Sequence, residues 1–149
     1  VHQIAETYCQ NNDVSFGWGR IFSAFGKESD PRRLTADVVN HLKNGEVVTI
    51  RSGSLIRDYI YTKDIAAAFV AFLNSDVSGV VNICSGKGTT IHDYVMQIAQ
   101  IMGKENLVEF KEQPSPQQTR VVGDSTRLNT EVGFTPKYTI EEALKEILK

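Results

Sequence analysis

The chain has 149 residues, 41% hydrophobic and 23% charged, with a net charge of −2 and an isoelectric point of about 5.9. That is one domain's worth of chain with enough apolar residues for a core, and its mildly acidic balance gives no bulk attraction for nucleic acid or an anionic membrane. No apolar run nears the roughly 20 residues of a membrane span, and His2, Gln3, Glu6 and Gln10 interrupt the segment a signal peptide would need.

Ile4, Ala5, Tyr8 and Cys9 recur at helical spacing, and Asn11-Asn12-Asp13 stops that helix. Val14 to Phe22 then reads as a strand, with glycines where another backbone can pass closely. Gly26 to Pro31 is polar loop. Leu34, Val38, Val39 and Leu42 mark one face of a second helix, closed by Gly45 in a left-handed conformation. Val47 to Ile50 is a short strand turned by Ser52-Gly53-Ser54, and Arg57 to Tyr61 is extended. Asp64 is expected to cap a helix over Ile65 to Leu73. Val80 to Ile83 has the continuous apolar character of a buried parallel strand. Thr90 caps the helix Ile91 to Met102, and Gly103 ends it. Leu107 to Phe110 suggests a strand, Pro114 and Pro116 a loop, and Thr139-Ile140-Glu141-Glu142 a capping box opening the last helix. Helices alternating with strands argue an α/β fold.

Few motifs carry chemistry by themselves. Tyr59-Ile60-Tyr61-Thr62-Lys63 is a Tyr-x-x-x-Lys, in which an ammonium would lower a phenol's pKa if both lay on one helix. A strand over these residues sets them on the order of 13 Å apart, so the pair is not read as catalytic. Gly17-Trp18-Gly19 is half of a dinucleotide fingerprint, with Phe22 in the third glycine's place. Ser85-Gly86-Lys87-Gly88-Thr89-Thr90 lacks the first glycine of a phosphate loop and reads as a strand-to-helix turn. His2, His41 and His92 fall on polar helix faces without ligand spacing, so no metal site is expected. Cys9 and Cys84 are far apart, which favours free thiols in a reducing compartment over a disulfide. Arg32-Arg33 is a basic spot able to take a phosphate, and the guanidinium of Arg57 is suited to grip a diphosphate bidentately.

Taken in order, three segments carry a resemblance. They are Trp18-Gly19-Arg20-Ile21-Phe22-Ser23-Ala24-Phe25-Gly26, Arg57-Asp58-Tyr59-Ile60-Tyr61 and Gly79-Val80-Val81-Asn82-Ile83-Cys84-Ser85-Gly86. Pro31-Arg32-Arg33-Leu34 and Gly123-Asp124-Ser125-Thr126-Arg127-Leu128 extend it. Together they are similar to the C-terminal, substrate-binding half of extended short-chain dehydrogenases, the NAD-dependent epimerase/dehydratase family acting on nucleotide sugars. Pro114 and Gln117 depart from it, standing where many members have an arginine and an acidic residue.

The resemblance implies the last strands of a Rossmann-like parallel sheet plus the small substrate region, over residues 1–149. It implies a nucleotide-sugar partner held by Ser23, Arg33 and Arg57, with Phe22 and Ser23 beside the NAD or NADP of the full-length enzyme. Arg57 would contact the diphosphate. The family's dinucleotide fingerprint and catalytic Tyr-x-x-x-Lys are not in these residues. The expectations are therefore no catalytic residue in this chain, no turnover and no tight cofactor binding by it alone, and self-association, as a homodimer for instance, through an exposed sheet edge. The alternative is a non-enzymatic nucleotide- or protein-binding module on the same fold. The expected location is cytoplasmic.

Overall fold

A computed structural model describes residues 1–27, 30–111, 113 and 119–149. Pro114, Pro116 and Gln117, and part of the loop from Gly26 to Pro31, lie outside the described residues.

In chain order the elements are α1 (His2–Asn11), β1 (Gly17–Ile21), β2 (Ser23–Phe25), α2 (Leu34–Asn44), β3 (Val48–Ile50), β4 (Ile56–Arg57), β5 (Tyr59–Tyr61), α3 (Thr62–Leu73) and β6 (Gly79–Ile83). There follow β7 (Thr89–Thr90), α4 (Ile91–Met102), a short 3-10 turn (Glu105–Leu107), β8 (Val108–Phe110), β9 (Arg120–Val121), α5 (Thr126–Thr130) and α6 (Ile140–Ile147). The chain is α/β, and three of its strand pairs, β1 with β6, β2 with β5 and β3 with β8, are parallel. In the remaining sheet, β4 lies between antiparallel β7 and parallel β9.

The expected strand from Val14 to Phe22 is shorter and divided. Gly17 to Ile21 run opposite Gly79 to Ile83, whereas Ser23 to Phe25 run opposite Tyr59 to Tyr61. Phe22 donates its backbone N–H to Ile83 O at 3.1 Å, and Ser23 donates its own to Asp58 O at 3.0 Å. At Phe22-Ser23 the chain thus leaves one parallel pairing and enters another.

Helix termini follow their local chemistry. Thr90 Oγ1 accepts from Asp93 N at 2.9 Å, and the Thr139–Glu142 box is formed in both directions. Gly45 and Gly103 close α2 and α4 at φ of 72° and 63°, where an L side chain is strained. Asp64 does not cap α3, because that helix begins at Thr62 and places Asp64 inside its first turn. Its buried carboxylate instead accepts from Lys137 N at 3.0 Å and Tyr138 N at 3.1 Å, pinning the segment before α6. His2 is not on a polar face either; its ring packs 4.7 Å from Trp18 and 5.7 Å from Phe16. Leu107 belongs to the 3-10 turn, and the strand after it starts at Val108.

Buried apolar residues form two clusters. The larger joins α2, α4 and α6 to β3 and β5 through residues such as Val38, Leu42, Tyr59, Tyr94, Ile98 and Leu144. The smaller lies between α3, β6 and α5, around Ile65, Phe72, Val81, Ile83 and Leu128. No helix among the described residues is long and apolar enough to cross a membrane.

Candidate functional site

The crossing at Phe22-Ser23 forms one wall of a cavity of about 680 Å³, within the range of small-molecule sites. Period-two alternation sends Arg57 and Tyr59 into it while Asp58 between them is fully buried. The start of α2 brings Arg32, Arg33, Leu34 and Thr35, and Arg20, Ile91 and Val121 complete the lining with Phe22, Ser23 and their neighbours. Among the described residues the lining holds four arginines and no Asp or Glu.

Of the residues expected to bind, Phe22, Ser23, Arg33 and Arg57 all line this one cavity. The structure brings them together from three separate stretches of sequence. Arg57 is half-buried and donates from Nη1 to Ile56 O at 2.8 Å, which tethers its guanidinium beside β4. Arg33 reaches Ala24 O at 3.3 Å. Arg32 pairs with Asp30 at 2.8 Å; the pair is largely exposed, and the Arg32 hydrogen bonds hold the Asp30 carboxyl below its ordinary value. The sequence marks Arg32 as a basic spot and puts Arg20 and Tyr59 in segments that carry the resemblance, but it gives neither of these, nor Val121, an individual role in the site. The alternation along Arg57-Asp58-Tyr59 was the available signal for Tyr59. Val121 had none, because β9 is only two residues long.

The apolar side of the cavity rests on an aromatic stack. Tyr59 lies parallel to Tyr94 with ring centroids 3.9 Å apart and an interplanar angle of 5°, and Phe25 meets both rings edge-on. Tyr94 and Thr35 share a buried hydroxyl–hydroxyl hydrogen bond of 2.8 Å. Burial raises the Tyr59 phenol to about 12, a shift that Arg57 only partly opposes, so Tyr59 is a neutral phenol at physiological pH. Lys63 turns away from it to pair with Glu146. The Tyr59–Lys63 spacing therefore yields no acid–base pair, because Tyr59 opens strand β5 whereas Lys63 lies in the first turn of α3.

Gly17 and Gly19 are used in packing. A Cβ on Gly17 would lie 2.9 Å from the Phe72 ring, and one on Gly19 would lie 2.5 Å from Phe69. Both glycines sit within β1 and admit α3, so they do not form the turn that receives a pyrophosphate. Among the described residues these two glycines therefore supply no phosphate cradle. Cys9 and Cys84 are unpaired; burial pushes the Cys84 thiol up to about 11. Among the described residues no group of three or more His, Cys, Asp or Glu could hold a metal ion.

The sequence pattern of the NAD dependent epimerase/dehydratase family matches residues 1–84. The chain is 26% identical to UDP-glucuronic acid decarboxylase 1 of Danio rerio over 99% of this chain and 37% of that protein. It is 28% identical to GDP-6-deoxy-D-mannose reductase of Pseudomonas aeruginosa over 97% of this chain and 52% of that protein. It thus spans about a third to a half of the length of the curated relatives it matches. In fold it is similar to UDP-N-acetylglucosamine 4-epimerase of Methanobrevibacter ruminantium in complex with UDP-N-acetylmuramic acid, at a TM-score of 0.88 and 24% identity, covering 98% of this chain and 49% of that one. Other solved structures of this fold are complexes with NADPH or NAD.

Proposed function

The chain belongs to the NAD dependent epimerase/dehydratase family, and from that premise we propose that it is the nucleotide-sugar-binding part of an NAD(P)-dependent epimerase, dehydratase or reductase. The observation that carries this reading is the cavity whose described lining has four arginines, one of them paired with Asp30, and an apolar aromatic side. A diphosphate needs cationic, bidentate donors, and a nucleoside needs a flat apolar surface. Arg57 grips the diphosphate, Arg33 adds a second cation from the start of α2, and Ser23 meets the sugar. Phe22 and Ser23 together form the border with the nicotinamide. In such an enzyme the cofactor would exchange hydride with the sugar; this chain's residues bind and orient the substrate. Free Cys9 and Cys84 suit a reducing, cytoplasmic location.

The test is calorimetric titration of the chain with UDP, GDP and dTDP. Saturable binding of one of them, lost in Arg57→Ala, is expected. No binding of any nucleoside diphosphate would overturn the reading. Titration with NAD is expected to show no tight binding, because Gly17 and Gly19 serve the α3 contact; micromolar affinity would refute that. The chain alone is expected to give no turnover, since binding cannot replace an absent base. An in-frame Gly-x-x-Gly-x-x-Gly and Tyr-x-x-x-Lys in the preceding coding sequence would support the enzyme. A start codon near Val1 would favour a binding module instead.

Self-association belongs to the same proposal. Among the described residues β1 pairs only with β6, while Ile4, Tyr8, Ile21, Val70 and Leu73 are exposed near this side. Light scattering over a concentration series should show a rising mean mass, and a constant monomer mass would refute it.

A further inference from the structure

Asp58 is fully buried, yet among the described residues none of its hydrogen-bond donors is a cation. Oδ1 accepts from Ser85 N at 2.8 Å and Ser85 Oγ at 2.7 Å. Oδ2 accepts from Gly86 N at 2.9 Å and Gly123 N at 3.1 Å. A buried carboxylate is costly unless its lone pairs are satisfied, and here each oxygen receives two donors. The anion is held by backbone and hydroxyl dipoles, with the Ser85-Gly86 amides forming an anion-binding concavity.

These bonds tie together segments far apart in sequence, and each bears on the cavity. Asp58 separates Arg57 from Tyr59, both of which line it. Its backbone carbonyl takes the N–H of Ser23, the residue at the crossing between pairings. Gly123, held by Oδ2, lies two residues beyond the lining residue Val121 and directly against Phe22. A Cβ on Gly123 would fall 2.9 Å from the Phe22 ring and 2.6 Å from Cys84 Sγ.

We infer that Asp58 is the positioning residue of the cavity: its carboxylate fixes the Ser85-Gly86 and Gly123 segments against β4 and β5, and thereby sets Phe22, Ser23, Arg57 and Tyr59 in one binding geometry without touching the ligand. The inference rests on the reading of the cavity as a nucleoside-diphosphate site. An uncharged apolar residue could fill the volume of Asp58, but it could not receive four convergent donors. Asn at this position keeps the shape and presents an NH2 group to donors that need an acceptor.

The experiment compares Asp58→Asn, Ser85→Ala and Phe72→Ala in the 149-residue chain. Phe72 lies in the smaller cluster, away from this cavity, and its replacement reports general loss of stability. Each variant is melted and titrated with UDP, GDP and dTDP. Asp58→Asn should weaken binding by about tenfold or more, the scale of lost hydrogen bonds to a charge. Ser85→Ala, which keeps three of the four bonds, should weaken it less and serves alone if Asp58→Asn does not fold. Phe72→Ala should leave affinity nearly unchanged at a comparable fall in Tm. Equal weakening by Phe72→Ala, or unchanged affinity in both Asp58→Asn and Ser85→Ala, would overturn the inference.

Amide spectra separate its failure from failure of the ligand reading. If the wild-type chain binds no nucleoside diphosphate, that reading fails. Displaced Ser23, Arg57 and Tyr59 resonances in Asp58→Asn or Ser85→Ala, absent from Phe72→Ala, would still uphold positioning. Undisturbed resonances would refute it.

Discussion

The two sides of this molecule are finished to different degrees. Around the cavity, α2, α4 and α6 close over β3 and β5, and Val38, Leu42, Tyr94, Val95, Ile98 and Leu144 are all completely buried. On the other side α1 has no buried residue at all, and α3 leaves Val70 60% and Leu73 86% exposed although its inner face carries Ala68 and Phe72. The same chain has thus buried the apolar side chains of one region and left apolar surface uncovered in the other. Stability and ligand binding should therefore reside on the cavity side, and association on the α1–α3 side.

The sharpest contrast should come from removing side chains. Tyr94→Ala deletes the ring stacked on Tyr59 and strands the Thr35 hydroxyl, and should cost about 3–5 kcal/mol. Ile4→Ala on α1 should change stability by less than about 0.5 kcal/mol. Chemical denaturation of both variants checks the difference, and equal losses would erase the distinction between the sides.

Arg57→Ala comes next. Losing a charge-assisted bond should weaken nucleoside-diphosphate binding by roughly 1.5–3 kcal/mol, read by calorimetry. In an active full-length enzyme the same change should appear in the Michaelis constant for the nucleotide sugar. Leu73→Lys, on the opposite side, should leave that affinity alone and lower the mean mass seen by light scattering. If Leu73→Lys weakened binding while Arg57→Ala did not, the two roles would have to be exchanged.

The smallest effect is a dependence on alkaline pH. Tyr59 and Cys84 are both held above their ordinary values of 10.0 and 9.0, to about 12 and about 11, chiefly by burial. Folding therefore favours their neutral, protonated forms. Their contribution is intact below about pH 9 and is lost as pH rises through 11 and 12. Melting temperatures from pH 8 to 12 should fall over that window, and Tyr59→Phe should flatten part of the decline. A wild-type melt independent of pH in that range would refute the assignment.

Periodicity and termini alone determined much of the fold. The spacing of Leu34, Val38, Val39 and Leu42, the Thr90 cap, the glycines closing α2 and α4, and the Thr139–Glu142 box act over a few residues, so their outcome was legible locally. The resemblance likewise identified Phe22, Ser23, Arg33 and Arg57, and the structure lines one cavity with all of them. Tertiary structure decided what acts over long separations. Asp64 looked like a cap because Asp before an apolar run commonly is one, but partners at Lys137 and Tyr138 are 73 and 74 positions away and leave no local signature. Val14 to Phe22 read as one strand because pattern reports extension but not partner, and the change of partner at Phe22-Ser23 depends on Ile83 and Asp58. For Asp58 the sequence favours a structural acid holding backbone or Arg20, and among the described residues its donors are backbone amides and the Ser85 hydroxyl. Its place among Ser85, Gly86 and Gly123 exists only once β4, β6 and β9 converge, because a buried charge is tolerable only where folding delivers its donors.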